Sequence, residues 1–151
     1  ALGCYTADCA PVFLYSKDIK TIGIVHSGWQ GTFKQINEKM IEKFKQIGAK
    51  IDELSVAIGP SISTLSYEVG QEFYDRFVSK DSSSAAFFVH KDGKIYYNNS
   101  GYIAYKYNQA GVRNIDISSY DTYTDDRMFS HRYYTHYGKK NGRMLSFILL
   151  N

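Results

Sequence analysis

Two short, nearly continuous apolar runs near the start of the chain, residues 10–15 and 21–26, constrain the fold more than any other feature. Each is too short for an ordinary helix and lacks the alternation of a strand with one wet face. Both therefore read as strands buried on both sides. The polar stretch Ser16-Lys17-Asp18 between them reads as a hairpin turn. With Lys17-Asp18 as a two-residue tip, the facing positions are Ser16 with Ile19, Val12 with Gly23, and Cys9 with His26. Directly opposed side chains have Cβ atoms about 4.5–5.5 Å apart, so this register sets a thiol against an imidazole at the deep end of the hairpin. One residue more or less in the loop would carry Cys9 to the other face.

A histidine beside a cysteine lowers the thiol pKa, which yields either a thiolate nucleophile or a soft N/S pair of metal ligands. On residue type alone, a buried Cys acting as a small hydrophobe and a His satisfied in the core remain open. The segment after His26 points toward chemistry. Ser27-Gly28-Trp29-Gln30-Gly31-Thr32 is a strand-to-helix turn with two glycines, which directs free backbone amides and the positive end of a helix dipole at an anion such as phosphate. Thr32 followed by Gln35 predicts a capping box, and Phe33, Ile36, Met40, Phe44 and Ile47 predict one helix with a single apolar stripe, stopped by Gly48.

Further along, residues 54–58 read as a strand ended by Gly59-Pro60, and residues 67–78 as a helix through Val69, Phe73 and Phe77. Residues 87–89 and 95–97 flank the hairpin signal Lys91-Asp92-Gly93. Residues 100–110 form a helix stopped by Gly111, and residues 112–117 and 144–150 form strands. The aromatic, polar stretch 118–141 reads as a long loop that either has a function or is disordered. Strand and helix signals alternate while hairpins also occur. The expected class is therefore α/β (α+β), a layered sandwich of mixed β-sheet flanked by helices.

Composition bounds the function. A length of 151 residues fits one domain over residues 1–151. Aromatic residues make up 16% of the chain, chiefly 14 Tyr and 9 Phe, which favours a β-rich body. A net charge of +3 is too mild to imply nucleic acid or a membrane surface as partner. No apolar run approaches the roughly 20 residues of a membrane helix. The two cysteines, Cys4 and Cys9, make no disulfide framework and fit a reducing, cytoplasmic setting. The opening Ala1-Leu2-Gly3-Cys4 has neither Met nor a signal peptide, so the chain is expected to lack its N-terminal segment.

Thr6-Ala7-Asp8-Cys9-Ala10-Pro11-Val12 and His26-Ser27-Gly28-Trp29-Gln30-Gly31-Thr32 together resemble the hallmark motifs of the YfiH-like family, that of the multicopper polyphenol oxidase or laccase-domain proteins. Further matches come in order: Ile58-Gly59-Pro60, Tyr67-Glu68-Val69-Gly70, Ala110-Gly111-Val112, Phe129-Ser130-His131-Arg132 and Gly142-Arg143-Met144. The resemblance implies a zinc-dependent purine nucleoside enzyme. Its activities would be phosphorolysis of adenosine, inosine and methylthioadenosine, together with adenosine deamination, and its partners a small nucleoside and phosphate. It also implies zinc on Cys9 and His26, substrate contacts from Gly28, Gln30, Gly31, Thr32, Ser130 and Arg132, and a monomer or homodimer. The family's other His ligand lies upstream of the first motif, and Gln30 stands where the family has arginine. Ser61 and Asp121-Thr122 also depart from its pattern. His131, inside the Phe-Ser-x-Arg motif, is a candidate to approach the site, while His90 and His136 read as loop residues. Tyr120, Tyr123, Tyr133, Tyr134 and Tyr137 could stack on a purine or serve packing. Rival readings are copper-dependent phenol oxidation, a metal-free Cys–His hydrolase or amidase acting on cell-wall precursors, and a non-enzymatic binder. One Cys and few His suit several copper centres poorly, which leaves copper behind zinc.

Overall fold

The computed structural model describes residues 1–138 and 141–150. The two apolar runs form strands that lead the fold. The first strand, β1 (Leu2–Thr6), is followed by β2 (Ala10–Ser16) and β3 (Thr21–Ser27), which pair antiparallel. Their register differs from a two-residue hairpin: Ser16 faces Thr21, Val12 faces Val25, and His26 faces Pro11. Residues 17–20 form a four-residue loop, with Lys20 at φ 49°. Asp18 sets that loop. Its carboxylate accepts from the Ser16 hydroxyl and, at 3.0 Å, from the Lys50 backbone N–H. Because the shift is two residues, Cys9 stays on the face of His26 but lies diagonal to it.

The predicted single helix is two. The first, α1 (Trp29–Phe33), begins at Gly28, and α2 (Ile36–Gln46) starts beyond a break at Gln35, which has φ 61°. No capping box forms. Thr32 lies inside α1, and its buried hydroxyl is taken by Ser27 and Asn99. The far end behaves as the sequence suggests. Gly48 (φ 89°) donates to the Lys45 carbonyl, and Ala49 donates to that of Phe44, a Schellman stop.

Strand β4 (Ser55–Ile58) pairs antiparallel with β2. The stretch expected as one helix from residue 67 instead opens with the short strand β5 (Glu68–Val69), and α3 (Gln71–Lys80) starts after Gly70. Strands β6 (Phe88–Lys91) and β7 (Lys94–Tyr97) form the expected hairpin over Asp92 and Gly93, both at positive φ. Helix α4 (Asn99–Gln109) leads to β8 (Asn114–Ile117), which pairs parallel with β4. The long segment from residue 118 is not a plain loop. It contains α5 (His131–Tyr137) and bridges Ser61 through Asp121, with residues 139 and 140 outside the described part. The last strand, β9 (Met144–Ile148), pairs with β1.

Among the described residues the sheets are therefore a two-stranded β1–β9 ribbon, a four-stranded mixed sheet β3-β2-β4-β8 and a three-stranded sheet β5-β7-β6. The main core lies between the four-stranded sheet and helices α2 and α4. Val12, Leu14, Val25, Val56 and Ile58 pack there on Ile41, Phe44, Ile103 and Tyr107. Each such side chain contributes about 1.5–3 kcal/mol on removal from water. A second core is aromatic: Phe73, Phe77, Phe88 and Tyr97, with Phe73–Phe77 and Phe88–Tyr97 stacked at 4.8 Å. The high aromatic content is thus spent on helix-to-sheet packing as much as on strands. The layered, mixed α/β architecture expected from the sequence is the one observed.

Candidate active site

Cys9 sits just before β2, after Asp8, whose backbone is left-handed at φ 79°. Both Asp8 carboxylate oxygens are engaged. One accepts from the Thr122 hydroxyl at 2.7 Å and the other from the Arg132 backbone N–H at 2.6 Å. The Asp8 carbonyl accepts from the Ile62 N–H at 3.0 Å. One residue thereby ties the turn that carries Cys9 to segments more than a hundred positions away. A Cβ at position 28 would lie 2.6 Å from the Cys9 sulfur, so any larger residue there would have to push the thiol aside. Burial pushes the Cys9 thiol up, and Asp8 adds to this, while Arg143 opposes it.

Cys9, Gly28 and Trp29 form the wall between two adjoining hollows. The outer one is an open cleft lined by Cys9, His26, Gly28, Gln30 and Gly31, so both residues border one hollow despite the shifted register. The inner cavity, of about 220 Å³, is lined by Asp8, Cys9, Trp29, Tyr67, Asn99 and Arg132, with His131 at its side. Arg132 is aimed by two contacts. Its Nη1 donates to the Glu68 carbonyl at 2.8 Å, and its guanidinium lies 5.3 Å from the centre of the Tyr67 ring. Burial, reinforced by Cys9, pushes the Tyr67 hydroxyl well above the ordinary tyrosine range, so it stays a neutral donor.

Two expected substrate residues are placed elsewhere. Thr32 is buried and lines neither hollow; it belongs to a hydrogen-bonded network behind the wall. Ser130 spends its hydroxyl capping α5, where it accepts from the Tyr133 N–H at 3.0 Å, and it borders a separate small cavity with Tyr133. His90 packs on Tyr74, and His136 bonds the Tyr123 hydroxyl at 2.9 Å. Tyr133 packs on Tyr123 and Tyr137, so these tyrosines contact one another rather than the inner cavity. Among the described residues, no group of three His, Cys, Asp or Glu side chains could hold a metal ion. Sequence reasoning missed Asp8, Tyr67 and Asn99. The first two stand inside recognised motifs and carried a signal; Asn99 carried none.

No helix among the described residues is long and apolar enough to cross a membrane. Comparison with known proteins agrees with the site's motifs. The chain is 36% identical over 126 residues to a purine nucleoside phosphorylase of Rickettsia prowazekii, covering 80% of this chain and 50% of that protein. It is 35% identical over 153 residues to one of Clostridium acetobutylicum, covering 98% and 61%. Among solved structures it superposes on YfiH of Bacillus licheniformis with TM-score 0.86 and 28% identity, over 95% of this chain and 55% of that one. On YlmD of Geobacillus stearothermophilus the TM-score is 0.85 with 26% identity, over 95% and 54%. The chain thus spans about half the length of the relatives it matches. With the Cys and His motifs converging on one wall and a family match along residues 1–151, this chain belongs to the family described as multi-copper polyphenol oxidoreductase laccase.

Proposed function

We propose that the protein is a purine nucleoside enzyme that binds zinc through Cys9 and His26, phosphorolysing adenosine and related nucleosides and deaminating adenosine. The observation that carries this reading is the shared wall. A soft N/S donor pair opens onto one hollow, and the same Cys9 borders an aromatic, arginine-bearing cavity. The described residues supply part of a zinc donor set. One thiol and one imidazole in a common cleft provide two of the four positions zinc prefers, leaving the others to a further ligand, water or substrate. Bound zinc supplies a Lewis acid, which polarises an oxygen or activates water.

The chain's own residues supply the rest. Trp29 and Tyr67 offer ring faces for a purine, and Arg132, held by the Glu68 carbonyl and the Tyr67 ring, offers its remaining N–H groups to a phosphate or ribose oxygen. Gln30 offers hydrogen bonds without charge at the cleft, which makes Arg132 the main cation for phosphate. The names of the Rickettsia and Clostridium relatives agree with phosphorolysis.

The test is elemental analysis of the purified full-length protein, together with phosphate-dependent release of base from adenosine and inosine and release of ammonia from adenosine. Zinc near one equivalent, lost with turnover in Cys9→Ser, is the expected result. Metal-free protein that leaves both nucleosides unchanged overturns the reading. Bound copper with oxidation of phenols and no nucleoside turnover replaces it.

A further inference from the structure

Trp29 belongs to the wall between the two hollows, yet the helix that carries it cannot hold the ring by itself. Helix α1 has five residues, its N-cap Gly28 makes no side-chain capping bond, and the left-handed Gln35 follows directly after Lys34. Isolated helices below roughly 12–15 residues are marginal in water, so the place of α1 is set by what packs on it. Thr32 ties it to the buried network through Ser27 and Asn99. Its two rings are held from α3.

Trp29 and Phe33 share one face of α1, and Phe73, Arg76, Phe77 and Lys80 follow one another at helical spacing on α3. Ring meets ring twice, with centroids 5.3 Å apart for Trp29 and Phe73 and 5.2 Å apart for Phe33 and Phe77. Two cations of α3 complete the contact. Lys80 Nζ lies 4.4 Å from the centre of the Phe33 ring and donates to the Phe33 carbonyl at 2.6 Å. The Arg76 guanidinium bridges both rings, 5.8 Å from the centre of Trp29 and 5.3 Å from that of Phe33. Both distances fall inside the range of about 6 Å over which a ring quadrupole attracts a cation. Among the described residues Arg76 has no hydrogen-bond or ion-pair partner, and it lines neither hollow. Its charge is spent on the two rings of α1.

From this we infer that Arg76 is a positioning residue for nucleoside turnover: by bridging Trp29 and Phe33 it fixes the indole that walls both hollows, and with it the ring offered to the base. This assignment rests on the nucleoside reading above and deepens it. Arg76 is exposed, which bounds the effect. A cation–π contact at an exposed site changes an equilibrium by about two- to five-fold, so losing the charge weakens binding of the base by no more than that factor. In phosphorolysis the ring holds the base alike before and during bond breaking, so the loss falls on KM and leaves kcat in place.

Two variants of the full-length protein test this: Arg76→Met, which keeps an apolar stem without the charge, and Arg76→Lys, which keeps a cation. In phosphorolysis of adenosine, Arg76→Met is expected to raise KM about two- to five-fold at unchanged kcat, and Arg76→Lys to recover most of that loss. A purely structural role would instead lower kcat with the folded fraction and leave KM alone, and that outcome overturns the assignment. So does a KM unchanged in Arg76→Met, or one raised equally in both variants. Trp29 is the only tryptophan of the sequence, and its fluorescence, read as the difference from Trp29→Phe, gives a second measure without nucleoside. Acrylamide should quench it more steeply in Arg76→Met than in the wild type; equal quenching overturns the clamp. Wild-type protein that turns over no nucleoside defeats the underlying reading instead, while the quenching still decides the role of Arg76.

Discussion

At the scale of single residues, the site depends on two positions that tolerate little change. Gly28 yields its space to the Cys9 sulfur. Gly28→Ala should destabilise the fold by about 1–3 kcal/mol through overpacking and displace the thiol from the cleft. Thermal unfolding and zinc content check this together, and a variant with wild-type values of both would contradict it. Asp8 is the second. Asp8→Ala strands the Thr122 hydroxyl and the Arg132 N–H at a cost of about 1–3 kcal/mol. Asp8→Asn should recover most of that loss. Its amide oxygen can accept from Arg132 while its amino group donates to Thr122, and Asn tolerates the left-handed backbone. Equal melting temperatures for the two variants would refute the role. The Cys and His motifs were legible because their chemistry is written in residue type. Asn99 was not, because its partners lie 67 and 72 positions away, and nothing local distinguishes it from the neighbouring Asn98, which merely caps α4.

At the scale of elements, the strands of the first hairpin were readable from their apolar runs, but their register was not. The loop length depends on Asp18 reaching the Lys50 backbone, a contact across 32 positions. The break at Gln35 escaped for the same kind of reason, since the Thr32 hydroxyl that would have capped a helix is drawn into the buried network. A left-handed backbone costs a non-glycine residue about 1–2 kcal/mol. Gln35→Gly should therefore raise stability by up to about 1 kcal/mol, and Gln35→Val should lower it; denaturant unfolding gives both signs.

The junction after α3 is pH-sensitive in a definite direction. Burial works against ionisation of Asp81, but hydrogen bonds from Ser83, Tyr102 and Lys106 outweigh it and hold the carboxyl far below the usual carboxylate range. A depressed value in the folded state means stability that is present above the unfolded value, near 3.9, and is lost as pH falls below it. The melting temperature should therefore drop between pH 5 and pH 3. Asp81→Asn should start lower at neutral pH and lose less over that interval.

At the scale of the whole molecule, two cores divide the work. The aliphatic core between the four-stranded sheet and helices α2 and α4 arises from periodicity, and its layered class was readable in advance. The aromatic core joins α3, β6 and β7, and also brings Trp29 and Tyr67 to the site, an assembly of distant rings that no local pattern announces. Phe77, stacked at 4.8 Å on Phe73 and buried, anchors it. Phe77→Ala should cost about 3–5 kcal/mol, read by chemical denaturation. A loss below 1 kcal/mol would show that α3 is held by other means.

The thin partition of Cys9, Gly28 and Trp29 has a consequence for how the two hollows communicate. Because Cys9 borders both, an occupant on one side that moves its side chain would change the free energy of occupancy on the other, and linkage would make that coupling reciprocal. A base lodged against Trp29 and Tyr67 will slow capture of the Cys9 thiol by an alkylating reagent arriving from the cleft. If the cleft takes a metal and the cavity a base as proposed, each would shift the apparent affinity for the other by the same factor.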